Sequence, residues 1–389
     1  MQPEASALSP PLVTFVLHKF SRGGSDRVAT YLAKGFVEAG FRVELVVFAA
    51  GGEVEDLLLD EMKGMPVHFI GAGGRHRALD LLTGLPAFVR YLRRARPDVI
   101  LSTANNTALI SALGRAMARI AQARLVLKTT NPIATSRHRG FARQLRRWSY
   151  RRIFRSTQAV WTLSDEESDE MRAAFPEFAD LFQTVIQPYV TPAMLASPGG
   201  HSRSDSPIIL SIARLTKQKR LDRLIRGFAN VRTNGARLLI LGEGEERGEL
   251  TALAGELGVW DRMTMPGYVP DVALALRDAS LLVLTSDYEG LPAAVIEAMA
   301  ANCPVLLTNC FPSAEALVRS ADGCEMITDI EPEALGAQID RMLEEPRPRS
   351  LAAIAARYSI SNAVSSHVSA LRRVMSEPGT GRDLSAKPD

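Results

Sequence analysis

The sequence predicts an α/β protein made of two doubly wound, Rossmann-like domains, each a parallel sheet wrapped by helices. Three observations carry this. Short, continuous apolar runs alternate with amphipathic stretches along the chain, the pattern of buried strands joined by crossover helices. The length, 389 residues, exceeds one ordinary domain and suits two. Between two alternations of similar size, residues 191–207 concentrate Pro, Gly and Ser and read as a linker. The domains are therefore expected over 1–190 and 208–361.

The first alternation begins with the apolar run Leu12 to Leu17, the turn SRGGSDR, an amphipathic helix from Val28 to Ala39 and a strand from Phe41 to Phe48. Gly23 and Gly24 let backbone come close to a ligand at a strand exit, or simply make a tight turn. Strands are expected over Val67 to Ala72, Asp98 to Ala104, Arg124 to Thr130 and Ala159 to Ser164. Helices are expected over Leu79 to Arg94, Thr107 to Ile120 and Asp165 to Ala174, the last favoured by Asp165 and Glu166 at its start. TVIQPYV then leaves the domain.

The second alternation reads more cleanly. Ile208 to Ala213 is a strand, RLTKQKR a basic turn, LDRLIRGFANV a helix, ARLLILG a strand and GEGEERGEL a turn entering a helix. RMTMPGYVPD leads to a helix over Val272 to Asp278. Leu281 to Cys310 is the stretch on which the functional reading turns: a strand to Thr285, the turn SDYEG, a helix from Pro292 and a strand from Pro304 to Thr308. A further amphipathic helix follows in EPEALGAQIDRMLEE, a last helix at about 362–376, and a tail, 377–389, expected to be disordered.

Composition narrows the class. Apolar content of 46% with 23% charge is globular. There is no 18-residue uncharged apolar run, so no membrane span is expected. The N-terminal residues lack the features of a secretory signal. Cys303, Cys310 and Cys324 form no C-x-x-C pair and suit reduced core thiols in a cytosolic protein. Net charge is only +3, with 39 Arg against 7 Lys; this bias follows genome composition as readily as function, and no nucleic-acid partner is expected.

One charged segment stands apart. Arg137 to Arg155, RHRGFARQLRRWSYRRIFR, holds eight Arg and no acid. Phe141, Leu145 and Trp148 share a helical face opposite Arg143, Arg146 and Arg147. The apolar stripe then shifts to Tyr150, Ile153 and Phe154, which argues against one straight surface helix. The segment suits an anionic membrane surface or lipid-linked acceptor, or else an Arg-rich face over buried aromatics.

The turn SDYEG lies at a strand's carboxyl end, where open α/β sheets bind ligands. Glu289 in that turn, Glu297 eight positions on, and amides at a helix start suit a polyhydroxyl, phosphate-bearing ligand. The run EGLPAAVIEAMAANCPV resembles the Glu-x7-Glu signature of retaining glycosyltransferases of the GT-B fold, family 4. SIARLTKQKRLDRLI similarly resembles that family's Arg-x4-Lys phosphate-binding element. The resemblance covers almost the whole chain and is densest from Ile208 to Cys310. It implies two facing domains, with the last helix crossing back to the first.

It also implies roles. Arg214 and Lys219 would stabilise the departing diphosphate. Glu289 would sit by the donor sugar, with the amides of Gly290 and Leu291 holding sugar and phosphate, and Glu297 would bind the ribose hydroxyls. Gly242, in a G-x-G turn, and Gly267, Tyr268 and Val269 would border the nucleotide. Gly23 and Gly24, followed by Asp26 and Arg27, would face the donor diphosphate and the acceptor. The acceptor rim would include His18, Asn105 and Asn131, although KTTNP lacks the His that many members carry there. Without an Asp-x-Asp pair, no metal and no cofactor are expected.

The donor would be a nucleotide diphosphate sugar, a UDP-sugar above others, and the acceptor a glycan, a lipid-linked glycan or a small molecule. An epimerase of the same fold and a non-catalytic nucleotide-sugar-binding paralogue are the competing readings. Asn302 replaces the usual Gly in ANCPV, and NCFPSAEAL lacks the family's glycine pair. As a rim residue, Glu289 is expected to be replaceable without cost to the fold. The reading needs Arg214, Lys219 and Glu289 directed at the donor and not spent on their own salt bridges.

Overall fold

The computed structural model describes residues 9–21, 24–52, 55–71, 73, 76–134, 140–196, 206–344 and 350–377. The chain divides into two compact units, Met1–Val185 with Val364–Asp389, and Ile186–Ala363. Among the described residues, all sheet pairing is parallel, in one sheet of seven strands and one of six.

In the first unit the strands are β1 (Leu12–Leu17), β2 (Arg42–Val47), β3 (Val67–Phe69), β4 (Val99–Ser102), β5 (Arg124–Lys128), β6 (Ala159–Thr162) and β7 (Phe182–Thr184). Their order is β3-β2-β1-β4-β5-β6-β7, so the winding reverses between β1 and β4, the crevice where such sheets take ligands. β1 is buried at every position, as a central strand covered on both faces must be. The crossovers are helices α1 (Gly24–Glu38), α2 (Glu55–Glu61), α3 (Arg77–Ala95), α4 (Ala108–Ala118), α5 (Gly140–Phe154) and α6 (Asp165–Ala174). Ser164 caps α6 by accepting from the Glu167 amide. One apolar cluster joins Phe88 and Leu92 of α3, Ile110 of α4, Phe154 of α5 and Met171 of α6 to the sheet.

In the second unit α7 (Pro192–Ala196) precedes strands β8 (Ile208–Ile212), β9 (Arg237–Leu241), β10 (Met263–Gly267), β11 (Leu281–Leu284), β12 (Val305–Thr308) and β13 (Cys324–Ile327). Helices α8 (Leu221–Ala229), α9 (Arg247–Glu256), α10 (Ala273–Asp278), α11 (Ala293–Ala300), α12 (Ala314–Ser320), α13 (Pro332–Glu344) and α14 (Leu351–Ala355) connect and follow them. The order β10-β9-β8-β11-β12-β13 puts the reversal between β8 and β11. Helix α15 (Ile360–Ser376) starts in this unit and ends in the first. There Val364 fills the space over Gly35 of α1, where an added Cβ would lie 2.4 Å from its methyls, and His367 meets Trp161 edge-on.

Several expectations are corrected. β7, which was not expected, pairs with β6 and ends just before TVIQPYV leaves the first unit at Val185, and α7 occupies the start of the expected linker; residues 197–205 lie outside the described residues. β10 was hidden by Pro266, which an edge strand tolerates because one row of its backbone groups is unpaired. Helices α2, α12 and α14 and strand β13 were too short or too mixed to show a period. α5 is one continuous helix: the change of stripe marks two opposite faces, Tyr150, Ile153 and Phe154 buried, Phe141, Leu145 and Trp148 exposed. Arg137 and Arg139, and the tail from 378, lie outside the described residues.

Candidate functional site at a strand-exit crevice

In the second unit, the loops leaving β8 and β11 meet at the winding reversal. The β8 loop forms a single 3-10 turn at Lys217–Lys219, and Arg220 behind it adopts φ 48°. That turn delivers the Lys219 ammonium to the β11 loop, where Nζ lies 2.5 Å from Glu289 Oε1. Ser286 Oγ donates to the same oxygen at 2.6 Å, while Oε2 takes no hydrogen bond among the described residues. The Glu289 amide donates to the Cys310 carbonyl at the exit of β12. The loops are laced together as well: the Asp287 amide donates to Gln218 O, Gln218 Nε2 donates to Tyr288 O, and Arg223 pairs with Asp287 at 2.9 Å. Arg220 clasps Asp222 through two bonds of 2.9 Å. Burial pushes the Asp222 carboxyl up, but Arg220 outweighs it and holds the group below its usual range.

Glu289 is thus not a freely replaceable rim residue. It is 7% exposed, and its loss would strand Lys219 without a counter-charge. The ion pair is also the kind of self-neutralisation that would weaken a phosphate site. Its extent is limited, because an ammonium has three donors and Glu289 occupies one. Arg214, exposed in the same loop, has no ion-pair partner among the described residues. Cys310 beside the pair is kept a neutral thiol, burial pushing it up to about 12, and all three cysteines are free and buried.

Glu297 lies in α11 at 2% exposure, in the buried helix its apolar neighbours predict. Gly290 and Leu291 immediately precede that helix, with the Leu291 carbonyl accepting from Tyr189 Oη at 3.0 Å. The glycine turn after β9 is sterically required. Gly242 has φ 148°, its amide donates to Gly267 O, and an added Cβ would stand 1.9 Å from Ala213 O. Gly267 has φ 101°, with Tyr268 and Val269 following β10. Arg247 braces this turn by a two-bond contact with Glu243 and a bond to Met265 O. Asn302, the departure from the family's Gly, takes the left-handed conformation at φ 54°, and its Oδ1 accepts from the Ala352 amide at the start of α14.

The predicted acceptor residues belong to the first unit and gather at its own reversal between β1 and β4. His18 follows β1 and lies 3.3 Å from Asp80 of α3. Burial lowers its pKa, outweighing the opposing pull of Asp80. Asn105 Nδ2 donates to Asn131 O at 2.7 Å and its Oδ1 accepts from the Thr130 amide, which ties the β4 and β5 exits together. Gly24 opens α1, whose Asp26 receives both the amide and the hydroxyl of Ser21; Gly23 lies outside the described residues.

The second unit therefore brings Lys219, Glu289 and the start of α11 to one crevice, with Arg214 on the β8 loop. Sequence reasoning missed Ser286, Gln218, Arg220 and Arg247, which position these groups. For Ser286 a signal existed in its place three residues before Glu289 in the same turn. Gln218 acts through a backbone carbonyl that no residue spacing encodes, whereas Arg220 and Arg247 grip carboxylates two and four positions away, Asp222 and Glu243, a spacing the sequence shows.

Two family models match the chain. The description "Glycosyl transferase 4-like domain" fits residues 23–182, and "Glycosyl transferases group 1" fits 197–359. Together they mark a glycosyltransferase of the GT-B, family 4 type. Among individual proteins, the chain is 26% identical over 235 residues to the alpha-D-kanosaminyltransferase of Streptomyces kanamyceticus, covering 56% of this chain and 61% of that protein. It is 23% identical to the amylovoran biosynthesis glycosyltransferase AmsD of Erwinia amylovora, over 74% and 78% of the two chains. An uncharacterized glycosyltransferase of Methanocaldococcus jannaschii is 37% identical over only 108 residues, 27% of each chain. In fold, the chain resembles Anabaena HepE in complex with UDP and glucose, with TM-score 0.76 and 18% identity over 93% of this chain and all of that one. WaaG, a glycosyltransferase involved in lipopolysaccharide biosynthesis, gives TM-score 0.72 and 18% identity over 94% and 100%.

Proposed function

We propose that the protein is a retaining, metal-independent hexosyltransferase. It moves a sugar from a nucleotide diphosphate donor, a UDP-sugar, to a glycan or lipid-linked acceptor on the cytosolic side of a membrane. The observation that carries the reading is the Lys219–Glu289 pair at the β8–β11 reversal, beside an Arg214 free of ion pairing among the described residues. Cations at a strand exit suit a diphosphate leaving group, whose charge grows as its bond to the sugar breaks. The fold likeness to a UDP-bound structure and the amylovoran-biosynthesis name of AmsD support the donor and acceptor classes.

In the proposed reaction the sugar C1–phosphate oxygen bond breaks while the acceptor oxygen bonds to C1 on the same face. The acceptor proton passes to the released phosphate oxygen. Lys219 keeps Glu289 with one donor and offers the others to the diphosphate, with Arg214 adding a second cation. Glu289 Oε2 accepts from a sugar hydroxyl, Gly290 and Leu291 present amides, and Glu297 takes the ribose. Gly242, Gly267, Tyr268 and Val269 border the nucleotide. His18, Asn105 and Asn131 lie on the acceptor side, and the turn that Gly24 ends faces the donor diphosphate and the acceptor.

A thermal-shift screen of nucleotide sugars names the donor, since only a bound one raises the melting temperature. Glu289→Gln is expected to lose transfer yet bind UDP as tightly as the wild type or better, because Lys219 is released. Full transfer by that variant would remove Glu289 from the mechanism.

A further inference from the structure

We propose that the outer surface of α3, α4 and α5 is a docking face for an anionic lipid bilayer. This deepens the acceptor half of the functional reading and stands apart from its donor half, because every residue it uses lies in the first unit. Of the fifteen large hydrophobic side chains exposed among the described residues, eight fall on these three helices. They do not scatter. Leu109, Leu113 and Met117 recur every four residues along α4, and Phe141, Leu145 and Trp148 form the outward stripe of α5, at 79%, 52% and 55% exposure. The three helices belong to one layer: their inner faces share an apolar cluster with the sheet, and Arg93 of α3 donates to Met117 O at the end of α4. Exposed apolar residues concentrated in this way mark an interaction surface.

Charge selects the partner. Residues 81–164 contain sixteen Arg and Lys and a single acid, Asp98, in a chain whose net charge is +3. The cations are not all spent internally. Arg115 is committed to three backbone carbonyls and Arg151 to Glu177, but Arg143, Arg152 and Arg155 are exposed. Arg152 sits 5.1 Å over the Trp148 ring, so an aromatic and a cation share one spot on the surface, as at a membrane interface. Among the described residues, no helix is long and apolar enough to cross a membrane. The helices would therefore lie in the headgroup region, Phe141, Leu145 and Trp148 entering the acyl boundary and the arginines meeting anionic headgroups. Nucleic acid would use the arginines and the aromatic rings, yet would leave the aliphatic row of α4 in water.

The test is flotation of the full chain with vesicles of phosphatidylcholine alone or mixed with phosphatidylglycerol, at low and high salt. Binding is expected only to the mixed vesicles and to weaken as salt rises. Phe141→Ser with Trp148→Ser removes apolar area without changing charge, and should weaken binding about ten-fold or more. Arg152→Gln with Arg155→Gln should weaken it at low salt. In both double variants the thermal shift given by UDP is expected to be unchanged, which separates a failed docking face from a failed donor site. The proposal is overturned if the protein stays unbound from mixed vesicles at low salt. It is equally overturned if neither double variant alters flotation, or if a short RNA binds more tightly than the vesicles at equal salt.

Discussion

Replacing Lys219 by Met separates what the ion pair does for the fold from what it does for the ligand. In the folded protein the Lys219 and Glu289 side chains are 15% and 9% exposed, close to a fully buried pair. Removing one partner of a buried pair costs roughly 3–5 kcal/mol, because the other charge stays desolvated. Ser286 Oγ still donates to Glu289, and the residual exposure admits some water, so the cost should fall near the lower end, about 3 kcal/mol. The double variant Lys219→Met with Glu289→Gln carries neither charge, and its stability should return to within about 1 kcal/mol of the wild type. Affinity for UDP follows a different rule. Loss of the cation removes a charge-assisted contact to phosphate worth about 1.5–3 kcal/mol, a rise in Kd of roughly 10- to 150-fold. That loss should persist in the double variant. Urea denaturation at constant m reads the first quantity and titration calorimetry with UDP the second. If the double variant binds UDP like the wild type, Lys219 does not touch the diphosphate. If stability stays low in it, the pair is not what holds the two loops.

Further outcomes are expected elsewhere. Gly242→Ala would drive a Cβ to 1.9 Å from Ala213 O, and should destabilise the second unit by at least about 2 kcal/mol in urea titrations. Asn302→Ala loses both a residue tolerant of φ 54° and the cap on the Ala352 amide; a loss of about 1–2 kcal/mol is expected, with Asn302→Gly recovering the conformational part. Lys128 at the end of β5 is wholly buried, and burial lowers its pKa to about 8, while burial raises Glu167 beside it. From about pH 8 up to the ordinary lysine range the unfolded chain holds the Lys128 proton more firmly than the folded one, so stability should rise with pH there. The difference in unfolding free energy between wild type and Lys128→Met isolates this, and a difference that is flat across that range would refute it.

What could be seen in the residues alone followed the strength of each local signal. Long apolar runs such as LVTFVL and LLVL, and helices of three turns or more, were legible because burial on both faces leaves little choice of residue. Of the four edge strands only β3 was: β7, β10 and β13 pair on one side only, so they tolerate the polar residues and the proline that hide them. At the candidate site, the charged side chains are visible in the sequence, but their arrangement is not. Lys219 and Glu289 are seventy positions apart, and only the adjacency of β8 and β11 makes them neighbours. The outward stripe of α5 shows the same limit, since periodicity gives a face but not which way it points.

Helix α15 has a practical consequence for anyone cutting or swapping this chain. A fragment ending at Val185 would expose the groove beside Gly35 and the ring of Trp161, and would leave the Arg124 guanidinium without the Glu377 carbonyl it binds. A hybrid enzyme that exchanges the first unit must therefore transplant two separate lengths of polypeptide, with junctions near 185 and 364.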